Sequence, residues 1–228
     1  MDRMAPAFAD RRDAGRRLAE RLADLVGDHA DDDADDIVVL ALPRGGVPVA
    51  AEVAAALHAP LDVLIVGKVG APGHEELALA AVAADGRIVA NPSVIAATGL
   101  TAGEVADLAA RQVQALARRA GELRGGRAAE ALAGRTVVIV DDGMATGATM
   151  RVAVEVARGA APRAIVAAVP VAAVEAAAAL AQVVDRLECL LTPPGFRAVG
   201  PWYDDFTQVS DTEVRALLGS AVHGSDDA

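Results

Sequence analysis

Thr136-Val137-Val138-Ile139-Val140-Asp141-Asp142-Gly143-Met144-Ala145-Thr146-Gly147-Ala148-Thr149 combines two demands that ordinarily oppose each other. Five β-favouring residues run into two adjacent acids, and a turn of small residues then opens a helix. That helix start, with Thr146, Gly147 and Thr149, offers unpaired backbone N–H groups and hydroxyls suited to a phosphate monoester. Carboxylates beside such a place would repel the phosphate. The opposition disappears for a ligand with a phosphate at one end and a polyol at the other, because the acids then accept hydrogen bonds from sugar hydroxyls while the amides hold the phosphate. A ribose 5-phosphate has that layout. An Asp-Gly turn followed by a Thr-capped helix would use the same pieces, but it gives the paired acids no purpose.

Outward from this stretch, short apolar runs alternate with helical spacing. Strands are expected at residues 37–42, 61–66, 136–140, 164–169 and 187–191, and helices at 47–58, 102–123, 148–159 and 172–183. Leu18, Leu22 and Leu25 set an amphipathic helix over residues 8–26. This order implies an α/β fold, a parallel sheet flanked by helices, in which ligands bind at the carboxyl ends of the strands. Between Gly70 and Asn91, Pro72 and the Asp85-Gly86 turn mark a β-hairpin or mobile excursion. Thr192-Pro193-Pro194-Gly195 breaks the last strand, and an irregular tail leads to a short helix over residues 212–218. The domain division is therefore a core over residues 1–191, with its flexible loop at about 70–91, and a C-terminal segment over 192–228.

A second anion loop follows the first strand. Leu42-Pro43-Arg44-Gly45-Gly46-Val47-Pro48 supplies two glycines that let backbone approach a ligand, a proline suited to a first helical turn, and the fixed guanidinium fork of Arg44. Lys68, in Val66-Gly67-Lys68-Val69-Gly70, is the only lysine among 21 Lys and Arg residues. At the end of the second strand, its ammonium would reach the same sheet edge as Arg44. His74, Glu75 and Glu76 lie in the following segment without the second histidine that a metal motif would need, and read as solvated loop residues. Trp202, Tyr203 and Phe206 are three of the five aromatic residues; they could stack a flat acceptor or pack the tail onto the sheet.

The pattern of strand, Asp-Asp, three residues, Thr-Gly-x-Thr over residues 137–149 resembles the PRPP-binding motif of the type I phosphoribosyltransferases. The Pro-Arg-Gly-Gly loop resembles that family's pyrophosphate loop, which often holds a non-proline cis peptide, and the tail resembles its C-terminal hood. The overall likeness is greatest to bacterial phosphoribosyltransferase-domain proteins whose acceptor is not established. The resemblance implies transfer of phosphoribosyl from PRPP to a nitrogen-containing small-molecule acceptor, with release of pyrophosphate. By this analogy Asp141 and Asp142 hold the ribose hydroxyls and stabilise developing positive charge. Ala145, Thr146, Gly147, Ala148 and Thr149 bind the 5-phosphate, Arg44, Gly45, Gly46 and Lys68 hold pyrophosphate, and Trp202 and Tyr203 face the acceptor. The implied cofactor is Mg²⁺, bridging pyrophosphate and ribose hydroxyls, so no residue is assigned as a dedicated metal ligand. The segment over residues 70–85 implies a loop that closes over the site and keeps water from an oxocarbenium-like transition state. Two departures bear on the acceptor: Ala145 stands where the 6-oxopurine enzymes have an aspartate base, and residues 166–171 lack their carbonyl-reading lysine. Self-association into a homo-oligomer is compatible with the resemblance, and the non-enzymatic alternative is a PRPP-sensing regulator.

Composition sets outer bounds. A net charge of −11 and a pI near 4.7 oppose a main affinity for nucleic acid. The run Asp31-Asp32-Asp33-Ala34-Asp35-Asp36 reads as a solvated loop. Residues 164–184 come nearest to a membrane span but contain Pro170 and Glu175. Charges at Asp2, Arg3, Asp10, Arg11, Arg12 and Asp13, and a single cysteine, Cys189, suggest a cytoplasmic protein. Neither Gly-x-x-x-x-Gly-Lys-Ser/Thr, Gly-x-Gly-x-x-Gly nor Gly-x-Ser-x-Gly occurs, which argues against NTPase, dinucleotide and serine-hydrolase chemistry.

Overall fold

A computed structural model describes residues 6–27 and 36–220. Five strands form a parallel sheet: β1 (Ile37–Ala41), β2 (Leu61–Val63), β6 (Thr136–Val140), β7 (Ala164–Val171) and β8 (Arg186–Leu191), in the order β2-β1-β6-β7-β8. β1 and β6 are buried at every residue, as strands covered on both faces require. Alternate side chains serve opposite layers. Val39, Ala41, Val138 and Val140 pack with helices α1 (Arg11–Leu22), α3 (Gly46–Ala56) and α8 (Asp211–Ser220). Val38, Leu40, Val137 and Ile139 pack with α6 (Ala148–Arg158) and α7 (Val174–Leu180). Leu18 and Leu22 of α1 are fully buried, each stabilising the fold by about 2 kcal/mol.

Helix α1 is shorter than its periodicity predicts. Asp10 caps it by accepting from the Asp13 amide at 2.7 Å, and a four-residue helix, α2 (Asp24–Gly27), follows. Phe8 lies outside the helix, bridged to Tyr203 of the C-terminal segment. The acidic run falls outside the described residues except for Asp36, whose carboxylate pairs with Arg163 at 2.7 Å.

The expected strand over residues 61–66 is divided. The chain leaves the parallel sheet after Val63, and Val66 begins a separate antiparallel sheet of β3 (Val66–Ala71), β4 (His74–Ala83) and β5 (Ile88–Ala90). Leu64 and Ile65 at the break are as buried as the strand before them, so hydrophobicity does not mark the change. One face of this sheet packs on α5 (Ala102–Arg124), and the other sends Ala81 and Ala83 against Val152 and Val156 of α6. An unforeseen short helix, α4 (Pro92–Thr98), is capped by Asn91 and closed by Gly99 in the left-handed region.

Candidate functional site

Reading the parallel strands in chain order gives the arrangement 2-1-3-4-5, which reverses direction between β1 and β6. Loops leaving neighbouring strands at such a reversal diverge and open a crevice at the carboxyl edge. Here those two loops are Pro43–Gly46 and Asp141–Gly147. They touch each other. A Cβ on Gly45 would collide with the Asp142 carboxylate, and one on Gly46 would lie 2.7 Å from the Val140 carbonyl oxygen and 2.9 Å from Asp141 Cα. Glycine is therefore required at both positions by the acid loop. The Pro43–Arg44 peptide is cis.

The acids are partly buried and differ in their surroundings. Asp141 accepts the Asp142 amide at 2.9 Å. Burial, and then the neighbouring Asp142 charge, push its pKa up to about 8. Asp142 is also raised by burial, but the Arg11 guanidinium pulls against that rise. Arg11 Nε donates to Asp142 Oδ2 at 2.8 Å and Arg11 Nη1 donates to the Thr207 carbonyl at 2.8 Å. Sequence reasoning missed Arg11, because nothing in the arginine-rich spacing of α1 separates it from Arg12, Arg16 and Arg17.

At the phosphate-type turn, Gly147 takes φ +71°, and no side chain caps α6 through it. Thr146 Oγ1 accepts the Ala148 amide at 3.3 Å. Thr146 and Thr149 are exposed at the mouth of the turn. Lys68 is not where the expected strand would have put it. It sits inside β3, opposite Ala81, and lines a cavity of about 280 Å³ with Thr146, Ala148 and Arg151. Arg44 faces another way, with Nη1 3.7 Å from Asp211 Oδ1 of α8, whose carboxylate is gripped by Arg119 at 2.5 and 2.7 Å. Arg44 does not line that cavity. Lys68 is grouped instead with the phosphate-type turn and with Arg151, a second cation not foreseen. His74, Glu75 and Glu76 begin β4 and are exposed.

The C-terminal aromatics are engaged with one another and with the N-terminal helix. Tyr203 is buried, its ring 5.4 Å from Phe8 and 5.1 Å from Phe206, and its hydroxyl donates to the Asp142 carbonyl at 2.5 Å. Of the two roles expected of the aromatics, Tyr203 is thus engaged in packing, and it also braces the acid loop. Trp202 stacks on Phe196 at 6.4 Å with ring planes 1° apart. Phe206 receives the Arg11 guanidinium 3.8 Å from its ring centroid.

Among the described residues, no group of three or more His, Cys, Asp or Glu side chains gathers into a metal cage. A magnesium ion that keeps most of its waters and is held through ligand oxygens does not need one. The acid pair suits a nearby divalent charge, since burial and the Asp142 charge hold the proton on Asp141, and a cation close by would oppose both.

The sequence matches the model of the phosphoribosyl transferase domain over residues 10–190. The chain belongs to this family. Within it, the chain is 49% identical over 214 residues to a Mycobacterium tuberculosis protein named "Putative phosphoribosyl transferase Rv0571c", an alignment covering 94% of this chain and 47% of the relative. The chain thus spans about half the length of the curated relatives it matches. Its structure is also similar to that of TT1426 from Thermus thermophilus, with 45% sequence identity, a TM-score of 0.81, and coverage of 92% of this chain and 97% of that one. The family match begins at Asp10 and so includes Arg11, both loops and Lys68. No described helix is long and apolar enough to cross a membrane.

Proposed function

We propose that this phosphoribosyltransferase-family chain transfers phosphoribosyl from PRPP to a nitrogen-containing acceptor with release of pyrophosphate. The reading is supported above all by the direct packing of the Pro43–Gly46 loop on the Asp141–Asp142 loop at the sheet's switch point. One crevice there offers groups for both ends of one ligand. Asp141 and Asp142 meet the ribose hydroxyls and stabilise positive charge as it develops at C1. Ala145 to Thr149 hold the 5-phosphate at the start of α6. Arg44, Gly45 and Gly46 hold pyrophosphate, with Arg44 exchanging Asp211 for the ligand's oxygens. Lys68, with Arg151 beside it, supplies the cationic wall on the 5-phosphate side of the cavity. The C1–oxygen bond breaks with its electron pair leaving on pyrophosphate, the acceptor nitrogen's lone pair forms the new bond to C1, and the acceptor's proton passes to solvent. Magnesium, when bound with PRPP, offsets charge on the leaving pyrophosphate.

The test is incubation of the protein with PRPP, Mg²⁺ and a metabolite extract, followed by mass spectrometry. A new species heavier than its parent by one phosphoribosyl group is expected, together with pyrophosphate. PRPP binding without any such product would favour a PRPP-sensing role, and no binding at all would remove both readings.

A further inference from the structure

The transferase reading treats the two acids alike, but their surroundings do not. Asp142 is enclosed: Arg11 Nε lies 2.8 Å from Oδ2, Gly45 is pressed against the same carboxylate, and the Tyr203 hydroxyl holds the residue's carbonyl at 2.5 Å. Arg11 is itself fixed from three directions. Nη1 donates to the Thr207 carbonyl at 2.8 Å, the guanidinium carbon sits 3.8 Å from the centre of the Phe206 ring, and the side chain is 11% exposed. A guanidinium with an ion pair, a carbonyl partner and an aromatic platform has little reason to leave when a ligand arrives. Asp141 has no such partner. Its carboxylate accepts the next residue's amide, and among the described residues no cation pairs with it.

We propose that Arg11 is a positioning residue that fixes the Asp142 carboxylate, and through it the acid loop, in the orientation that meets the ribose hydroxyls. This rests on the transferase reading and gives its acid pair one member held by a cation and one held only by the next residue's amide. A fixed charge pair beside the sugar site keeps the loop's backbone in place without adding net charge, whereas an unpaired second carboxylate would repel the 5-phosphate and the pyrophosphate of the ligand. The same bond to Thr207 ties the C-terminal segment to the acid loop. Arg11 therefore also sets how that segment is held against the acid loop.

A double-mutant cycle separates the roles. Calorimetry with Mg²⁺ and PRPP as ligand would compare Arg11→Gln, Asp142→Asn, Asp141→Asn and the two doubles that contain Arg11→Gln. Removing a charge-assisted bond suggests a loss of about tenfold to a hundredfold for Arg11→Gln and for Asp142→Asn. Because both changes break one pair, their combination should cost little more than either alone. Asp141→Asn should add its own loss to that of Arg11→Gln. Arg11→Lys keeps the charge on Asp142 and should recover part of the affinity, and it retains the test if the glutamine variant fails to fold. Additive losses for Arg11→Gln with Asp142→Asn, or wild-type affinity in both Arg11 variants, would overturn the assignment of Arg11 alone. Failure of the unaltered protein to bind PRPP would overturn the transferase reading and this role together.

Discussion

Asp141 sets the pH behaviour of the site. Its carboxyl is raised from the ordinary 3.8 to about 8, so the folded chain keeps a proton that the unfolded chain has already released. Stability from this group is therefore complete below about pH 4 and is lost progressively as pH rises to about 8. Asp141→Asn cannot ionise, and thermal melts from pH 4 to 9 should show the variant gaining on the parent across that window, with a constant difference above it. The same change should weaken Mg²⁺–PRPP by about 1.5–3 kcal/mol, since a charged acceptor is lost. In the unaltered protein, PRPP affinity should rise with pH up to about 8, because binding must displace the Asp141 proton. Lys68 gives a second expectation at this scale. The cavity that it shares with Thr146, Ala148 and Arg151 puts its charge beside the turn proposed to hold the 5-phosphate. Lys68→Ala should cost ribose 5-phosphate about tenfold or more and pyrophosphate less. Calorimetry with each ligand separately decides between this placement and the pyrophosphate contact that a single long second strand would have given.

The two strand-to-helix loops act as one element. Gly45→Ala would force a methyl group into the space of the Asp142 carboxylate, so that carboxylate must leave Arg11 or the loops must separate. Urea denaturation should show a destabilisation of about 1–3 kcal/mol, as overpacking usually does, with PRPP binding lost alongside it. The β6–turn–α6 unit was legible in the sequence because three signals coincide there: a run of β-branched residues, paired acids, and glycine and threonine at a helix start. The parallel layers were legible from the alternation of apolar runs. The departure into the antiparallel sheet was not, since the run from Val63 to Val66 is apolar through the residues where the chain changes sheets. Arg11 and Tyr203 were hidden for a different reason. Their meaning comes from contacts 131 and 61 residues away along the chain, and local pattern carries no trace of such distances.

At the scale of the molecule, PRPP should stabilise the protein as a whole. With ligand at a hundred times Kd the gain is about 2.7 kcal/mol. For a chain of this size that is roughly 5–10 °C in Tm, and a melt with PRPP and Mg²⁺ should show it. Acceptor choice also belongs here. Ala145 supplies no base, β7 presents buried apolar side chains, and Tyr203 is committed to packing. Hypoxanthine and guanine should therefore be poor acceptors, slower by about 10²–10⁴-fold than with a positioned base. Spectrophotometric assay of each base with PRPP and Mg²⁺ checks this, and turnover at about 1 s⁻¹ or faster would show that another group supplies the base.

The brace on the acid loop also has a consequence in time. Tyr203, Thr207 and Asp211 are made more than sixty residues after Asp142, and Arg11 has no carbonyl partner until Thr207 exists. Domains fold largely as units while synthesis runs from the N-terminus. A nascent chain released short of these residues would hold both loops, the sole lysine and the phosphate-type turn, yet lack what fixes the acids against them. Ligand capture should thus switch on abruptly once residues 203–211 have been made, rather than growing with chain length.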